Sequence, residues 1–415
     1  MTSREKLQKA LDHQAGPIPL DLGGTGVTGI HVLAIRNLRL HYGLEDHPIK
    51  VWEPYQMLGE IEEDLGAVMG IDVTGILGKT NMFGIRNEHW RPIRTFWGQE
   101  VLVAGEFNTS ADENGNLLIH PEGDLTVPPT AKMPRDSYFF DALNRQEPFD
   151  ESDLNVADNL EEFNLISEED LSHFAAEARR KSASGKGVIA TFGGTAFGDI
   201  ALVPAMQLKH PKGIRDVSEW YMSTIMRQDY IHQVFEAQSD IALQNLKKII
   251  SVVGDAVQAV FICGTDFGTQ DSQFCDADTF NSLYAPYYKK INGWIHANTD
   301  WKTFKHSCGA VKPLMRAFID AGFDIINPVQ INARDMVPEI LKEEFGKQLV
   351  FWGGGVDTQK VLPFGSPEEV MKQVRHACDT FGREGGFVFN TVHNIQANVP
   401  VENMVAMIEA LNEYR

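Results

Sequence analysis

The sequence predicts an α/β chain: a (β/α)8 TIM barrel carrying a β-rich insertion after an early strand. Three observations point to it. Short apolar runs ending in glycine or polar residues alternate with helical patterns of roughly 12–20 residues, the rhythm of a parallel sheet covered by helices. About eight such units run along the chain, which favours a closed barrel over an open doubly wound sheet. The length, 415 residues, suits one large barrel with an insertion.

Taken in order, Ser3 to His13 reads as an opening helix, with Ser3 as cap and Leu7, Ala10 and Leu11 at helical spacing. Pro19-Leu20-Asp21-Leu22 is a first strand running into Gly23-Gly24. Ile30 to Tyr42 is amphipathic, Pro54 to Gly66 reads as a helix, and Asp72 to Ile76 as the next strand. Between Asn81 and Pro148 the texture changes. Val101-Leu102-Val103-Ala104-Gly105, an Asn114-Gly115 hairpin signal and prolines 128, 129 and 134 mark a β-rich insertion or lid. Residues 1–80 therefore begin the barrel, 81–148 form the insertion and 149–415 complete the barrel. Ser167 caps a strong helix to Ala183, with Glu169 and Asp170 in its first turn. Gly187 to Gly194 is a strand entering a glycine loop, and helices follow near Val217–Arg227 and Ile231–Val252. The remaining strands are Ala259–Gly264, Trp301–Cys308, Asp324–Asn327, Leu349–Gly353 and Phe387–Asn390, before a final helix from Pro400 to Leu411.

Composition narrows the function. A formal charge of −20 argues against nucleic acid and against an anionic membrane surface. No apolar run approaches the roughly 18 residues of a membrane span. The start, Met1 to Leu7, lacks the apolar core of a signal peptide, and the four cysteines are too scattered for a secreted disulfide framework. A cytoplasmic location is expected.

In a barrel, the residues just after each strand face one mouth. Here they are Asp21, Thr191, Asp266, Gln270, His306, Cys308, Gln330, Asp357, Asn390 and His393. His306 and Cys308, two apart on an extended strand, leave on the same face about 7 Å apart. Imidazole and thiolate are both zinc ligands, and an open zinc site needs three protein ligands. Candidates for the third are His393, Cys263, Asp266 and Asp357, and His393 is favoured because it follows the last strand. Asp266 is the candidate catalytic residue, as acid/base, substrate ligand or orienter of a histidine; the competing role is capping the next helix. Asp21, Gln270, Gln330 and Asn390 are candidate substrate-binding residues. The glycine clusters at 23–26, 193–194 and 353–355 match no phosphate-binding pattern and read as tight strand-to-helix turns.

His306-Ser307-Cys308-Gly309 resembles the His-x-Cys zinc motif of the methyltransferase branch of the uroporphyrinogen decarboxylase superfamily. Gly353 to Gln359, then Gly365-Ser366-Pro367-Glu368-Glu369-Val370, resembles the superfamily's "G-x-x-D … G-[ST]-P-E-E-V" segment. Pro400-Val401-Glu402-Asn403 resembles its "P-x-E-N" helix start. The resemblance implies a (β/α)8 barrel, zinc, a corrinoid (cobalamin) carried by a partner protein, and a homodimer. True decarboxylases grip the tetrapyrrole propionates with an N-terminal arginine-rich segment, yet Leu20 to Gly29 holds no arginine. The branch's usual third zinc ligand is a cysteine, and His393 stands at the matching place. Two imidazoles and one thiolate leave a zinc site near +1, a stronger Lewis acid than one with two thiolates. The expected activity is therefore on the donor side. A small O-methylated compound, a methoxyaromatic as first choice, would give its methyl to the corrinoid cobalt. In that reading Asp266 or Gln330 orients the substrate, and Trp97, Phe107, Phe139, Phe140 and Phe267 are candidates to line an aromatic pocket. The alternatives are transfer from the corrinoid to a thiol such as coenzyme M or to a folate, a decarboxylase-like enzyme, and a silent barrel that binds a corrinoid protein.

Overall fold

The computed structural model describes residues 1–415. Seven parallel strands form one sheet in chain order: Val73–Ile76, Gly187–Ala190, Ala259–Cys263, Lys302–His306, Ile325–Asn327, Val350–Trp352 and Phe387–Val388. Each step along the sheet is a right-to-next pairing with a helix between, so no strand has to cross another. The eighth position belongs to the segment 19–21. Leu20 bridges Phe389 in parallel, Asp21 N–H donates to Phe389 O, and Asp72 N–H donates to Leu20 O. These bonds close the sheet into a barrel, which leaves no sheet edge to protect.

Two apolar cores result. Inside the barrel, Val73, Ile189, Ala259, Phe304, Ile325, Val350, Trp352 and Val388 interdigitate, and Leu7, Ala10 and Leu11 of the opening helix Ser3–Leu11 plug the bottom. A larger core lies between the strands' outer faces and the helices. The opening helix starts one residue earlier than its sequence suggested. Thr2 is the cap, in a reciprocal box with Glu5. Ser167 caps the helix Glu168–Ser182 through the Asp170 N–H. No helix is long and apolar enough to cross a membrane.

The expected helix over 54–66 is corrected. Ile49–Glu53 and Leu58–Gly59 are antiparallel strands, Met57 takes a positive φ of 55° between them, and the helix is only Glu63–Met69. These strands join Glu100–Val103 and Arg91–Arg94 in a four-stranded sheet, so the β-rich part recruits chain from before residue 81. A second sheet holds Thr109–Ala111, Leu117–Ile119, Ala131–Met133 and Asp141–Ala142, with the first pair joined across Asn114-Gly115.

His31 locks this β-rich part to the barrel. Its Nδ1 accepts the Leu33 N–H at 3.1 Å, capping the helix Val32–His41, so Nε2 carries the proton and donates to Tyr138 O at 3.1 Å. Burial pushes its pKa down to about 4. The unfolded imidazole, near 6.5, binds more protons than the folded one between those values. Stability that is full above pH 6.5 is therefore lost as pH falls towards 4, by up to about 3 kcal/mol from this one group. Urea titrations at pH 7 and pH 4.5 should show His31→Gln losing less stability on acidification than the wild-type chain.

Candidate metal centre at the barrel mouth

His306 is the last residue of its strand and Cys308 lies just beyond it. The two converge, with Cys308 Sγ 3.5 Å from His306 Nε2. Gly309 makes the turn at φ 90°, and a Cβ there would lie 2.4 Å from Gly268 C, so no other residue fits. His393 arrives from the loop after the last strand, its ring meeting that of His306 edge-on at 5.7 Å and 72°. Its backbone carbonyl accepts the Thr391 hydroxyl. One ligand atom from each of His306, Cys308 and His393 lies within 4.8 Å of the others. His306 is buried, whereas Cys308 and His393 are half-buried and face the opening.

The donor set suits zinc. Bonds of about 2.3 Å to sulfur and 2.0–2.1 Å to nitrogen at a tetrahedral angle place the two atoms about 3.5 Å apart, the separation present here. The tautomer suits it too. His306 Nδ1–H donates to Asn327 Oδ1 at 2.6 Å, and Asn327 is held the right way round because its Nδ2 donates to Trp352 O at 2.8 Å. That leaves the Nε2 lone pair pointing at the sulfur. Burial pushes both histidines down to about 4, so each is a neutral ligand at pH 7. Burial, reinforced by Asp266, raises the Cys308 thiol well above its usual range. A cation entering this site therefore displaces a thiol proton. Asn327→Leu should weaken metal binding about 10–100-fold while the fold persists, as read by competition with a zinc chelator.

Asp266 stands beside the triad. Its Oδ1 accepts the Cys308 N–H at 2.6 Å and lies 3.8 Å from His306 Nε2. Burial raises its carboxyl above the ordinary range, opposed by the Cys308 amide and the Lys305 ammonium. Of the other candidates for a third ligand, Cys263 is fully buried in the outer core, and Asp357 accepts from the Asn332 amide at 2.8 Å and the Gln359 N–H.

Asp21 and Asn390 meet at the C-terminal ends of the first and last strands. Asp21 accepts from Trp352 Nε1 and Gly24 N–H, both at 2.9 Å, and burial raises its pKa to about 6. Asn390 Nδ2 donates to Asp21 O, while its buried Oδ1 has no partner. Gln330 is spent on bracing the rim: its Oε1 accepts Gly309 N–H at 2.7 Å and its Nε2 donates to Gln270 Oε1 at 3.0 Å. Gln270 is exposed and donates to Asn332 O. The expected aromatic pocket is not at this mouth. Trp97, Phe107 and Phe140 line a 150 Å³ apolar cavity within the β-rich part, Phe139 is exposed on its surface, and Phe267 is buried over Lys305. Larger recesses of 290 and 390 Å³ on the barrel's flank include none of the triad.

Three nearby groups escaped the sequence reading. Lys305 is fully buried, donating to Thr265 O and His306 O at 2.6 and 2.7 Å beneath the rings of Phe267 and Phe318. Asp199 is buried and accepts the Ala201 and Gly264 N–H groups; burial raises it to about 6. Tyr221 carries a buried hydroxyl without a partner. A lysine at the outward, helix-covered position of a central strand was the one available signal, because lysine is almost never buried without a reason.

Fold and site together define an α/β-barrel protein with two imidazoles and a thiol gathered at the C-terminal ends of its strands. A sequence profile of the uroporphyrinogen decarboxylase (URO-D) family matches residues 149–414, and the chain belongs to that family. A uroporphyrinogen decarboxylase of Methylococcus capsulatus is 28% identical over 102 residues; the match spans 24% of this chain and 27% of that protein. A methyltransferase from Methanosarcina mazei shares the fold, with TM-score 0.55 and 12% identity across 100% of this chain and 99% of that one.

Proposed function

We propose that this chain is a zinc-dependent methyltransferase that takes a methyl group from a small O-methylated donor and passes it to the cobalt of a corrinoid protein. The observation that carries the reading is the convergence of His306, Cys308 and His393 at the barrel mouth, with sulfur and nitrogen at zinc-compatible separation. Family membership supports the barrel and its mouth as the place of chemistry. The Methanosarcina methyltransferase supports only the likeness of fold.

Zinc, when bound, supplies a Lewis acid that polarises the oxygen bearing the methyl group. The chain's own residues do the rest. Asn327 fixes the His306 ring, and the strand–Gly309 turn fixes Cys308 against it. Asp266, 3.8 Å from His306 Nε2, is placed to return a proton to the donor oxygen as the methyl group leaves it. Asn390 Oδ1, buried and free, offers an acceptor to a polar substituent of the donor.

Carboxylates also bear on the choice of substrate. Asp266 stands beside the triad, Asp199 accepts the Gly264 N–H two residues before Asp266, and the nearby ammonium of Lys305 is buried against backbone carbonyls. A substrate with several carboxylates would meet like charge there and no cationic clamp. That disfavours tetrapyrrole decarboxylation and favours a neutral donor.

The test is reconstitution with zinc, a corrinoid protein reduced to its Co(I) state and a panel of methoxybenzenes and simple methyl ethers. The reading predicts zinc-dependent conversion of the Co(I) absorption spectrum to that of the methylated cofactor. Conversion with none of the ethers, together with demethylation of the methylated corrinoid by a thiol, would transfer the assignment to the acceptor side.

A further inference from the structure

Tyr221 lies on the helix Val217–Met226, and its ring stacks on Phe274 with centroids 4.6 Å apart and planes 20° from parallel. Phe274 closes the lip that follows the strand Ala259–Cys263: its N–H donates to Phe267 O, and Gly268 pairs with Gln273. The same lip sits on the Cys308 turn, through Ala310 N–H to Thr269 O and the Gln273 side chain to Ala310 O. Stacking thus fixes the Tyr221 ring to the segment that frames the triad.

The hydroxyl at the edge of that ring is buried and has no partner within the protein. A buried phenol normally finds one. Of the carboxylates nearby, Asp199 takes two backbone N–H groups and Asp266 Oδ1 takes the Cys308 N–H. Both carboxylates lie close enough to oppose ionisation of the phenol, which burial already holds far above its ordinary range. The group is therefore a donor left unpaired on a ring that is stacked on the lip over the Cys308 turn. Phe274 is 43% exposed and leaves an aromatic face open next to it.

We propose that Tyr221 is a specificity-determining residue whose hydroxyl donates a hydrogen bond to an oxygen of a planar aromatic ether bound against the Tyr221–Phe274 wall. The inference rests on the methyl-donor reading and gives that donor's class. A site built to donate to an oxygen discriminates against an isostere that lacks it, because its own polar group is then left unpaired.

The test compares methoxybenzene with ethylbenzene, which replaces the ether oxygen by CH2, binding to the zinc-loaded chain by calorimetry. The wild-type chain should prefer methoxybenzene, and Tyr221→Phe, which keeps the stack, should cut that preference about fivefold, the typical worth of one neutral hydrogen bond, while Tyr221→Leu should weaken both probes alike. An unchanged preference in Tyr221→Phe, or no binding of methoxybenzene by the wild-type chain, overturns the inference. Corrinoid methylation is scored separately. A Tyr221-dependent preference without methyl transfer would sink the methyltransferase reading alone, and methyl transfer with an unchanged preference would sink the Tyr221 assignment alone.

Discussion

Cys308→Ala should leave a folded chain that has lost its divalent ion and about a thousandfold of its methyl-transfer rate. The magnitude follows from removing a Lewis acid whose stabilisation of a developing oxyanion is several kcal/mol. Folding should survive because Cys308 is half-buried and its position is set by backbone: the N–H bond to Asp266 and the Gly309 turn both remain. His393→Ala should behave alike, since its ring belongs to the triad and no strand depends on it. Asp266→Asn separates the two roles at the mouth. An asparagine oxygen still accepts the Cys308 N–H, so the metal should stay while transfer falls by about 10²–10⁴, the usual range for loss of a proton donor. Metal content by emission spectroscopy, read beside single-turnover rates, checks all three variants. Full metal retention in Cys308→Ala contradicts the assignment of the site.

The largest effect on stability should come from Trp352→Ala. Trp352 is fully buried inside the barrel, packed edge-to-face on Phe304 at 5.3 Å and 75°. Truncating a buried tryptophan costs about 3–5 kcal/mol in lost transfer energy and residual cavity. Loss of the Nε1–H bond to Asp21 adds about 1–3 kcal/mol, because a fully buried carboxyl is left with one donor fewer. Trp352→Phe should keep most of the packing and show the second contribution by itself. Urea denaturation with a constant m-value is the measurement. A cost below about 1 kcal/mol for the alanine variant would mean that the interior is packed differently.

The barrel was legible because its strands are buried on both faces and therefore read as apolar runs, as in Ala259–Cys263 and Val350–Trp352. The segment 54–66 was not. Its strand Leu58–Gly59 is two residues long and is imposed by partners outside it: Val51 opposite Gly59, and Ile35 and Val32 packed against Gly59. Local pattern there favoured a helix, and tertiary contact overrode it. In the site, His306 and Cys308 were visible because both lie on one strand and its turn. His393 was visible because barrel topology brings strand ends together. Asn327, Asp199 and Tyr221 act through contacts between residues far apart in sequence, which carry no local signature. Aromatic content misled in the same way. Phe107, Phe140 and Phe267 are ordinary core side chains, whereas Tyr221 and Phe274, neither singled out by the sequence, are the stacked pair beside the mouth.

Zinc K-edge X-ray absorption on the reconstituted chain tests the central claim most directly. The account predicts one zinc per chain bound by one sulfur at about 2.3 Å and two imidazole nitrogens at about 2.0 Å, with a fourth light atom completing the tetrahedron. Sulfur-free coordination, or failure to hold stoichiometric zinc at saturating concentration, would contradict it.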